Sequence, residues 1–464
     1  MAIQPIILCG GFGKRLWPIS RKNKPKQFLN ILNNQSLFEL TIIRSIKLKN
    51  AKKPIIITSY MHEFLVKNVL EKLNIKAFIL LEPESKNTAA AIYLAAMSAN
   101  KNDLLLIMPS DHYIPNTDQF CSSILNAQKK YETDKWFLFG VIPNEPSEFF
   151  GYIELQGHYN DDQIPQDVIS FKEKPNIELA LKMLNTKKHL WNAGIFLVET
   201  STAIDSIKKY AQPISSVCDA VLKEVTIKDK YTTLFNVELF KEIPAVSIDY
   251  IVLEREKNIK CLLLSTEWND VGSWNNFSKV EGLDNYKKKS IEVNGNNFIY
   301  NIDEKKITTL DVSNLIIINT NDVIFITKKG HTSHMQELVD QIYKSTPDIV
   351  NFHLYDERPW GRFDILFKML NMQIKKLIIL PHKRLSLQYH KKRTEHWFIK
   401  EGIATIYLDG KISKLCEGQS IDISQNQHHY IANETHQSLI IIEIQMGSYL
   451  GEDDIYRLDD PYNR

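Results

Sequence analysis

Short apolar runs alternate with longer stretches of helical spacing over residues 1 to about 280. The apolar runs lie at residues 6–8, 54–57, 104–107 and 137–139, and the helix-like stretches lie at 41–49, 62–73, 88–100 and 118–131. Runs that are apolar throughout are typical of parallel strands with helices packed on both faces of the sheet. We therefore predict an α/β domain with a parallel sheet, in which ligands bind outside the carboxyl ends of the strands.

The character of the sequence changes near residue 285, where a charged segment, residues 286–289, follows the α/β region. Residues 290 to about 329 hold short β-rich runs broken by Asn, Asp and Gly, and a short helix is expected at 334–345. Six strand candidates with short turns follow at 363–366, 373–380, 396–399, 404–408, 420–423 and 439–445, as in an antiparallel barrel. We predict an α/β domain over 1–284, a small β connector of solenoid-like type over 285–345, and a β-barrel over 346–464.

Composition excludes several classes of protein. The 464 residues are 44% apolar and 24% charged, and 57 Lys and Arg against 55 Asp and Glu leave a net charge of +2. That balance argues against disorder and against a dedicated nucleic-acid binder. The five cysteines form no C-x-x-C pair, which indicates reduced thiols in the cytoplasm. Because no apolar run approaches about 18 residues, we expect no membrane partner.

A glycine-rich loop follows the first apolar run. Gly10, Gly11 and Gly13 lie in the string GGFGKRLWPIS, and this signature loop carries Arg15, with Lys26 a little further on. Glycine lets backbone N–H groups approach a phosphate closely, and the two cations supply the positive charge that a triphosphate requires. The spacing matches neither a P-loop nor a dinucleotide-binding fingerprint. The alternative is a tight turn that carries two surface cations.

The same string resembles the signature of the nucleotide-sugar pyrophosphorylases, G-G-x-G-x-R-L-x-P-x-S/T-x-x-x-P-K, and in particular that of the mannose-1-phosphate guanylyltransferases. Further segments match this family in chain order: EPESKNTA at 82–89, MPSDH at 108–112, FGYI at 150–153, FKEKP at 171–175, WNAGIF at 191–196, SIDY at 247–250 and WNDVGSW at 268–274. The resemblance covers most of residues 1–280. It implies a Rossmann-like, GT-A-like nucleotidyltransferase fold that joins GTP and mannose-1-phosphate into GDP-mannose with release of pyrophosphate.

The resemblance also implies which residues form the site. Asp111 and Asp270 would hold Mg²⁺, because this hard cation prefers carboxylate and phosphate oxygens, while Arg15 and Lys26 would neutralise charge on the phosphates. The substrate-binding residues that it implies are Gly10, Gly11, Gly13, Asn87 and Thr88 for the nucleotide, and Gly151, Glu173, Lys174, Asn192 and Asp249 for the sugar phosphate. Taken one at a time, each of these motifs is better explained as a helix cap or a turn.

A second group of candidate residues lies in the C-terminal region. Gln388 and His390 are two positions apart, so on a strand they share a face. Glu395 follows beyond a predicted turn, and His429 is the second member of a histidine pair. Together they offer N and O ligands of the kind that bind Zn²⁺ or another divalent metal. The alternative is a set of polar barrel residues with a histidine pair at the surface.

This segment resembles the metal motif of the cupins, and in particular the type II phosphomannose isomerases, whose run is L-S-L-Q-x-H-H-H-R-x-E-H-W. Lys391 and Lys392 replace the second and third His of that run. The resemblance implies a C-terminal cupin β-barrel that interconverts fructose-6-phosphate and mannose-6-phosphate with the help of a metal. Lys392, Arg393 and Arg457 are candidates for gripping the 6-phosphate.

Three functions are open at this point. The first is a bifunctional enzyme with both activities. The second is a guanylyltransferase whose cupin is catalytically silent and serves sugar binding or oligomerisation, and the third is a regulatory protein that senses nucleotides. For the first we expect GTP, mannose-1-phosphate and hexose-6-phosphates as partners, no nucleic acid and no membrane, and a cytoplasmic homo-oligomer.

Overall fold

The computed structural model describes residues 1–32, 34–159, 164–280, 283 and 290–462. They form two compact units, Met1–Val350 and Asn351–Arg464. The expected boundary between residues 284 and 285, together with the charged segment 286–289, lies outside the described residues. The described part of the connector belongs to the first unit, and the three-part division remains a prediction. No helix in the described ranges is both long enough and apolar enough to cross a membrane.

The first unit is built on a central sheet of eleven strands. The strands are β1 Ile3–Cys9, β2 Ile55–Ser59, β3 Phe78–Glu82, β4 Leu104–Pro109, β5 Trp136–Val141, β6 Tyr152–Leu155, β7 Gln166–Lys172, β8 His189–Glu199, β9 Val225–Asp229, β10 Thr232–Phe235 and β11 Ile259–Leu263. The helices are α1 Leu37–Lys47, α2 Glu63–Lys72, α3 Asn87–Met97, α4 Thr117–Lys129, α5 Ile177–Asn185, α6 Thr200–Tyr210, α7 Gln212–Val221, α8 Val237–Lys241 and α9 Trp274–Ser278.

The central strands confirm the predicted parallel pairing. β1 pairs in parallel with β2 and β4, and β2 pairs in parallel with β3. Ile6 and Ile7 of β1 lie in separate apolar cores, because successive side chains of a strand point to opposite faces. The sheet differs from the prediction beyond β4, where β8 runs antiparallel to β4 and β5. An apolar run gives no information on strand direction, which explains the difference.

The motifs lie where the central strands end. Gly10 follows β1, Glu82 is the last residue of β3, and Asp111 comes two residues after β4. Because these strands are parallel, their carboxyl ends meet at one edge of the sheet, where α/β proteins bind ligands. Asn192 lies within β8, which excludes the alternative that WNAGIF is only a hairpin turn.

The connector consists of short strands, of which two pairs are parallel and the last pair is antiparallel. Its elements are β12 Ser290–Val293, β13 Phe298–Asn301, β14 Ile307–Leu310, β15 Leu315–Asn319, β16 Ile324–Lys328, α10 Met335–Ser345 and α11 Pro347–Asn351. β12 pairs with β14, and β13 with β15, in parallel, whereas β15 and β16 are antiparallel. Asn319 donates its side-chain N–H to Asn301 Oδ1 at 3.0 Å, so the same residue type stacks in successive layers. Such parallel stacking is typical of a β-solenoid.

The second unit is an antiparallel barrel with a closed apolar core. Its strands are β17 Tyr355–Arg358, β18 Gly361–Met369, β19 Met372–Ile379, β20 Lys383–Arg384, β21 Leu387–Tyr389, β22 Arg393–Glu401, β23 Ile403–Leu408, β24 Lys411–Cys416, β25 Ser420–Ile423, β26 His429–Asn433, β27 Leu439–Gly447 and β28 Tyr456–Asp459. They form two sheets, in the orders β17-β18-β19-β27-β22-β25 and β24-β23-β26-β21-β28. Trp397, Ile406 and Ile441 lie in the core between them. The predicted cupin-like barrel is confirmed.

Candidate active sites

A cleft of about 550 Å³ opens at the carboxyl ends of the central strands of the first unit. One end is formed by the glycine loop and the start of α3, and the other by the loops around β6, β7 and β8. The predicted residues that line it are Gly10, Gly11, Arg15, Asn87, Thr88, Asp111, Gly151, Glu173, Lys174, Asn192, Asp249 and Asp270. Motifs that are up to 260 residues apart in the sequence therefore surround one space.

A second cleft of about 400 Å³ adjoins the first. It shares Arg15, Asp111 and Asp270 with the main cleft and adds the two remaining predicted residues of this region, Gly13 and Lys26. The two carboxylates and the arginine therefore lie between the two clefts. Gly13 has a φ of 57°, and a Cβ at this position would lie 2.5 Å from Ser20 Oγ, so the loop requires glycine here.

Lys26 joins the two acidic residues. Its ammonium lies 3.0 Å from Asp111 Oδ2 and donates to the backbone oxygen of Asp270 at 2.9 Å. Burial alone would raise the pKa of Asp111, but the charges of Lys26 and His112 hold it below its ordinary value. Asp111 is therefore ionised at neutral pH, which is the form that binds a cation.

Asp270 is positioned by its neighbours. Its Oδ1 accepts a hydrogen bond from Asn276 Nδ2 at 2.8 Å, and a Cβ at Gly272 would lie only 2.1 Å from its Oδ2. The glycine of the WNDVGSW motif therefore makes room for this carboxylate. Val271 between them has a φ of 50°, a left-handed conformation that is unusual for a β-branched residue.

At the opposite end of the main cleft, polar side chains bind one another in pairs. Lys174 Nζ lies 2.5 Å from Glu173 Oε1, and Asn192 Nδ2 donates to Asp249 Oδ1 at 3.0 Å. Burial, followed by repulsion from Glu173, raises the pKa of Asp249 to about 7. A Cβ at Gly151 would lie 2.5 Å from Glu173 Oε2, so glycine keeps this end open. The set offers one cation and several hydrogen-bonding groups to a phosphorylated polyol.

Three further residues of the cleft were not predicted. Glu82 is 6% exposed, burial raises its pKa to about 8, and no partner for its Oε1 lies among the described residues. Trp268 donates to His112 Nδ1 at 3.1 Å, which fixes the imidazole beside Asp111. Glu82, His112 and Trp268 all stand inside quoted motifs, so the motifs themselves were the signal, although burial could not be inferred from them.

In the second unit, His390, Glu395 and His429 form a buried cluster whose ligand atoms all lie within 4.8 Å of one another. His390 Nε2 is 3.1 Å from Glu395 Oε1, and His429 Nε2 is 3.8 Å from Glu395 Oε2. Gln388 of β21 lies opposite His429 of the neighbouring antiparallel strand β26. Its Oε1 accepts a hydrogen bond from the Ser386 hydroxyl at 2.9 Å. The four predicted residues therefore lie together.

The outer nitrogens of both rings are already bonded. His390 Nδ1 contacts the backbone oxygen of Asp454 and His429 Nδ1 that of Gln427, each at 2.9 Å. This arrangement directs the Nε2 atoms toward the centre, as in metal sites whose second ring nitrogen is held by a backbone carbonyl. Among the described residues, His429 Nε2 and Glu395 Oε2 have no hydrogen-bond partner. Buried N and O atoms in this state fit a divalent cation.

The charges in this cluster are suited to a cation. Burial alone would raise the pKa of Glu395, but His390, Arg393 and His429 hold it well below its ordinary value. Burial lowers the pKa of His429, so its ring is neutral at pH 7, which is the form that coordinates metals.

The residues expected at the 6-phosphate have different surroundings. Arg393 is 1% exposed, and its guanidinium donates to Glu395 Oε1 and to the backbone oxygen of Gly451, each at 3.0 Å. It is therefore held in a buried ion pair instead of reaching outward, because β22 turns Arg393 and Glu395 to the same inner face. Arg457 lines a small pocket of about 50 Å³ together with Gln388 and Glu395. Lys392 is exposed, with its ammonium 4.9 Å from the centre of the Tyr449 ring.

This fold, with its two adjoining clefts and its buried histidine cluster, defines a nucleotidyltransferase joined to a cupin. The Nucleotidyl transferase family model matches residues 4–285, and the Mannose-6-phosphate isomerase C-terminal model matches residues 346–460. A Salmonella montevideo protein named mannose-1-phosphate guanylyltransferase is 34% identical over 100% of both chains. The chain belongs to this family of guanylyltransferases with a C-terminal isomerase-type domain.

Other relatives agree. The alginate biosynthesis protein AlgA of Pseudomonas aeruginosa is 34% identical over 99% of this chain and 97% of its own. A crystal structure described as mannose-6-phosphate isomerase from Helicobacter pylori superposes with a TM-score of 0.51 at 28% identity, covering 58% of this chain and 100% of that one. A Thermus thermophilus structure, described as a mannose-1-phosphate geranyltransferase, has a TM-score of 0.61 at 23% identity over 74% of this chain and 99% of its own, and supports the fold.

Proposed function

We propose that the first unit transfers the guanylyl group of GTP to mannose-1-phosphate, forming GDP-mannose and pyrophosphate. The observation that carries the proposal is the single cleft in which nucleotide-side residues, sugar-side residues and the Arg15–Asp111–Asp270 group meet. The names of full-length relatives point to the same substrates. A nucleotide-sensing regulator needs no second, sugar-side end of the cleft, so the geometry favours the enzyme.

The reaction is an in-line displacement. A phosphate oxygen of mannose-1-phosphate forms a bond to the α-phosphorus of GTP, and the bond from that phosphorus to the β-phosphate oxygen breaks. Arg15 and Lys26 would neutralise the charge that builds up on the phosphates, and Lys174 would hold the sugar phosphate. Glu173, Asn192 and Asp249 would accept or donate hydrogen bonds to sugar hydroxyls, while Asn87 and Thr88 would contact the nucleoside.

Mg²⁺ fits the residues between the two clefts. Asp111 and Asp270 offer hard oxygen donors, and Mg²⁺ is usually held by one or two carboxylates together with substrate phosphates. When bound, the ion would neutralise phosphate charge. The Lys26 ammonium, 3.0 Å from Asp111 Oδ2, supplies a further positive charge at this place.

The nucleotide base would be selected by Glu82. Its buried carboxyl, whose Oε1 has no partner among the described residues, lines the same cleft as Asn87 and Thr88. Guanine presents two adjacent N–H donors on one edge, and the two oxygens of Glu82 can accept from both once the carboxyl has lost its proton, so GTP binding would lower the raised pKa of this group. A buried acceptor discriminates strongly against a base that lacks the matching donors.

A panel of nucleotides and sugar phosphates tests this proposal. With GTP and Mg²⁺, pyrophosphate should be released only when mannose-1-phosphate is added. Release without the sugar phosphate, or equal rates with ATP, would contradict the assignment. Binding of GTP without any turnover would favour the regulatory alternative.

We propose that the cupin interconverts fructose-6-phosphate and mannose-6-phosphate when a divalent metal is bound. Support comes from the buried His390–Glu395–His429 cluster with its unsatisfied atoms, and from the match to the isomerase C-terminal family. Gln388, His390, Glu395 and His429 would hold Zn²⁺ or another divalent ion, which when bound would polarise the sugar carbonyl and hydroxyl. Arg457 and Lys392 would bind the 6-phosphate.

An isomerase assay with Zn²⁺ or Co²⁺ separates this proposal from a silent cupin. Wild-type protein should interconvert the two hexose phosphates, and His390→Ala should abolish the activity. No activity with any divalent metal would leave the cupin as a sugar-binding or oligomerisation module. A cytoplasmic location and a homo-oligomeric assembly stay predictions.

A further inference from the structure

Part of the wall of the second cleft comes from outside the transferase motifs. Gln336, in the first turn of α10, lines this cleft together with Lys14, Arg15 and Lys26 of the glycine-loop region. α10 belongs to the connector, for which neither the motifs nor the proposed function assigns a part in the transfer reaction. The cleft is thus cationic on the loop side, with an uncharged amide contributed by the connector.

The helical repeat explains how α10 reaches the cleft. Met335, Val339 and Ile342 follow one another at helical spacing and pack in the same core as Leu16 and Trp17 of the signature loop. Each residue of a helix is rotated by about 100° from the one before it, so the residues that follow Met335 and Val339 share the neighbouring face. Those residues are Gln336 and Asp340, and of the two Gln336 lines the second cleft.

Buried contacts fix the connector against the signature loop. Arg21 forms a bidentate ion pair with Asp322 of the connector, with both N–O distances at 2.7 Å and the arginine 1% exposed. Trp17 Nε1 donates to the backbone oxygen of Ile349 at 3.2 Å. The position of Gln336 beside the loop is therefore set by buried interactions, and a change at the exposed edge of α10 does not alter it.

At that exposed edge, three side chains form a short chain of contacts. Gln336 Nε2 donates to Asp340 Oδ1 at 2.8 Å, and Lys14 Nζ lies 3.6 Å from the same oxygen. Lys14 and Asp340 are about half exposed, so their attraction is weak and can be exchanged for another partner. A polyanion in the second cleft offers both donors a more highly charged partner than one carboxylate.

Geometry identifies that polyanion. The sugar-side residues line only the main cleft, whereas Arg15, Asp111 and Asp270 line both. In an in-line displacement the leaving group departs on the side opposite the nucleophile. We propose that the second cleft holds the leaving pyrophosphate, that Gln336 of the connector contacts it directly, and that Asp340 competes with it for Gln336 and Lys14. This inference rests on the proposed guanylyl transfer.

The test measures binding of inorganic pyrophosphate with Mg²⁺ by titration calorimetry, and the KM for pyrophosphate in the reverse reaction with GDP-mannose. Gln336→Ala should raise both values by about 10- to 100-fold, the loss expected for one hydrogen bond to a charged group. Asp340→Asn keeps an acceptor but removes the competing charge, so it should lower both by about 2- to 3-fold. The KM for GDP-mannose should be unchanged in both variants.

Gln341→Ala is the matched control, because Gln341 is an exposed glutamine of the same helix on a different face. It should leave both pyrophosphate values unchanged. If this edge of α10 had only a structural role, Gln336→Ala and Asp340→Asn would change the Kd and KM for pyrophosphate in the same direction, and that outcome would overturn the proposal. Equal effects of Gln336→Ala and Gln341→Ala on these values would overturn it as well. Failure of the proposed function would be seen separately, as wild-type protein that forms no GDP-mannose from any mixture of substrates.

Discussion

The two candidate sites differ in how their charged groups are satisfied. In the transferase cleft of about 550 Å³, ions pair with ions: Lys26 contacts Asp111, and Lys174 contacts Glu173. In the cupin, whose pocket is about 50 Å³, His429 Nε2 and Glu395 Oε2 are buried without hydrogen-bond partners among the described residues. Paired ions in an open cleft can exchange partners when a polyanion enters. The two buried atoms of the cupin carry a desolvation cost that nothing in the described residues offsets, and the divalent cation of the proposed isomerase would offset it.

The comparison predicts that the largest effect will come from a cleft carboxylate. Asp111→Asn removes the charge that balances Lys26 and offers an oxygen to Mg²⁺, so we expect kcat for guanylyl transfer to fall by about 10²- to 10³-fold. The isomerase activity of the cupin and the metal content of its histidine cluster should not change. Pyrophosphate release and hexose-phosphate isomerisation, measured on the same preparation, check this.

Asp118→Asn is the control for this variant. Asp118 lies in the first turn of α4 with an 80% exposed side chain and an ion pair to Lys47. Its replacement should leave both activities within about 2-fold, since surface ion pairs contribute little. A kcat for Asp111→Asn within about 3-fold of wild type would mean that the carboxylate takes no part in the transfer.

The next effect is expected at the cupin. His429→Ala should lower the affinity for Zn²⁺ or Co²⁺ at least about 100-fold, because it removes a ring whose Nε2 points into the cluster. Metal content by mass spectrometry and the rise in Tm on adding metal are the readouts, since a ligand at about 100 times its Kd stabilises a protein by about 2.7 kcal/mol. Guanylyl transfer should be unaffected.

His428→Ala provides the matched control one residue away. His428 is exposed, and its ring is 5.3 Å from that of Tyr389, outside the cluster. It should retain the wild-type metal content. Equal metal loss in both variants would show that the buried cluster is not the binding site, and the contrast between the two units would then be lost.

The residues that the sequence predicted for the transferase site line the two adjoining clefts, for a physical reason. Parallel strands bring their carboxyl ends to one edge, so short motifs after β1 and β4 converge without any knowledge of long-range contacts. The direction of β8 was not predictable, because an apolar run reads the same in both directions. The burial of Glu82 was also missed, since it depends on the packing of α3 and the residues around Ile248 that line the same cleft.

The C-terminal site shows where sequence patterns carried more information than was taken from them. Arg393 was expected to face a phosphate, yet it alternates in phase with Glu395 and Trp397 along β22, and all three are buried. The period-two alternation of β22 would therefore have predicted that the Arg393 side chain points inward. The strand His429–Asn433 was not predicted, because it directly follows a polar loop and both of its ends are polar.

A third prediction concerns Glu82, which, like Glu395 in the cupin, has a buried oxygen without a hydrogen-bond partner in the part of the chain that the structure describes. Glu82 is buried and its Oε1 has no hydrogen-bond partner among the described residues, whereas Asp111, Glu173 and Asp249 of the same cleft each have one. Glu82→Gln replaces one acceptor oxygen by an N–H donor that opposes guanine, so the KM for GTP should rise about 10-fold while the KM for mannose-1-phosphate stays constant. Glu84→Gln is the control, because Glu84 pairs with Lys86 at 2.9 Å and is about half exposed. Equal KM values for GTP in the two variants would remove Glu82 from base recognition.

The smallest expected effect is on stability and its dependence on pH. The pKa of Asp249 is raised to about 7 in the folded chain from an ordinary value of 3.8. A carboxyl group with a raised pKa favours folding when it is protonated, and this contribution is lost as the pH rises from about 4 through 7. Asp249→Asn cannot ionise, so its Tm should exceed that of wild type by about 2–4 °C at pH 8 and by less at pH 5.

Asp229→Asn should lower the Tm, whereas Asp249→Asn should raise it, and the Asp229 variant therefore serves as the control. Burial would raise the pKa of Asp229, but its hydrogen bond with Lys67 outweighs this and lowers the pKa to about 2. The stabilisation from this pair is therefore present at both pH 5 and pH 8, so the variant should lose the same small amount of Tm at each. Because Asp249 combines burial with a like charge from Glu173, a Tm difference that does not grow between pH 5 and pH 8 would show that this end of the cleft is as open and solvated as the Lys67 surface.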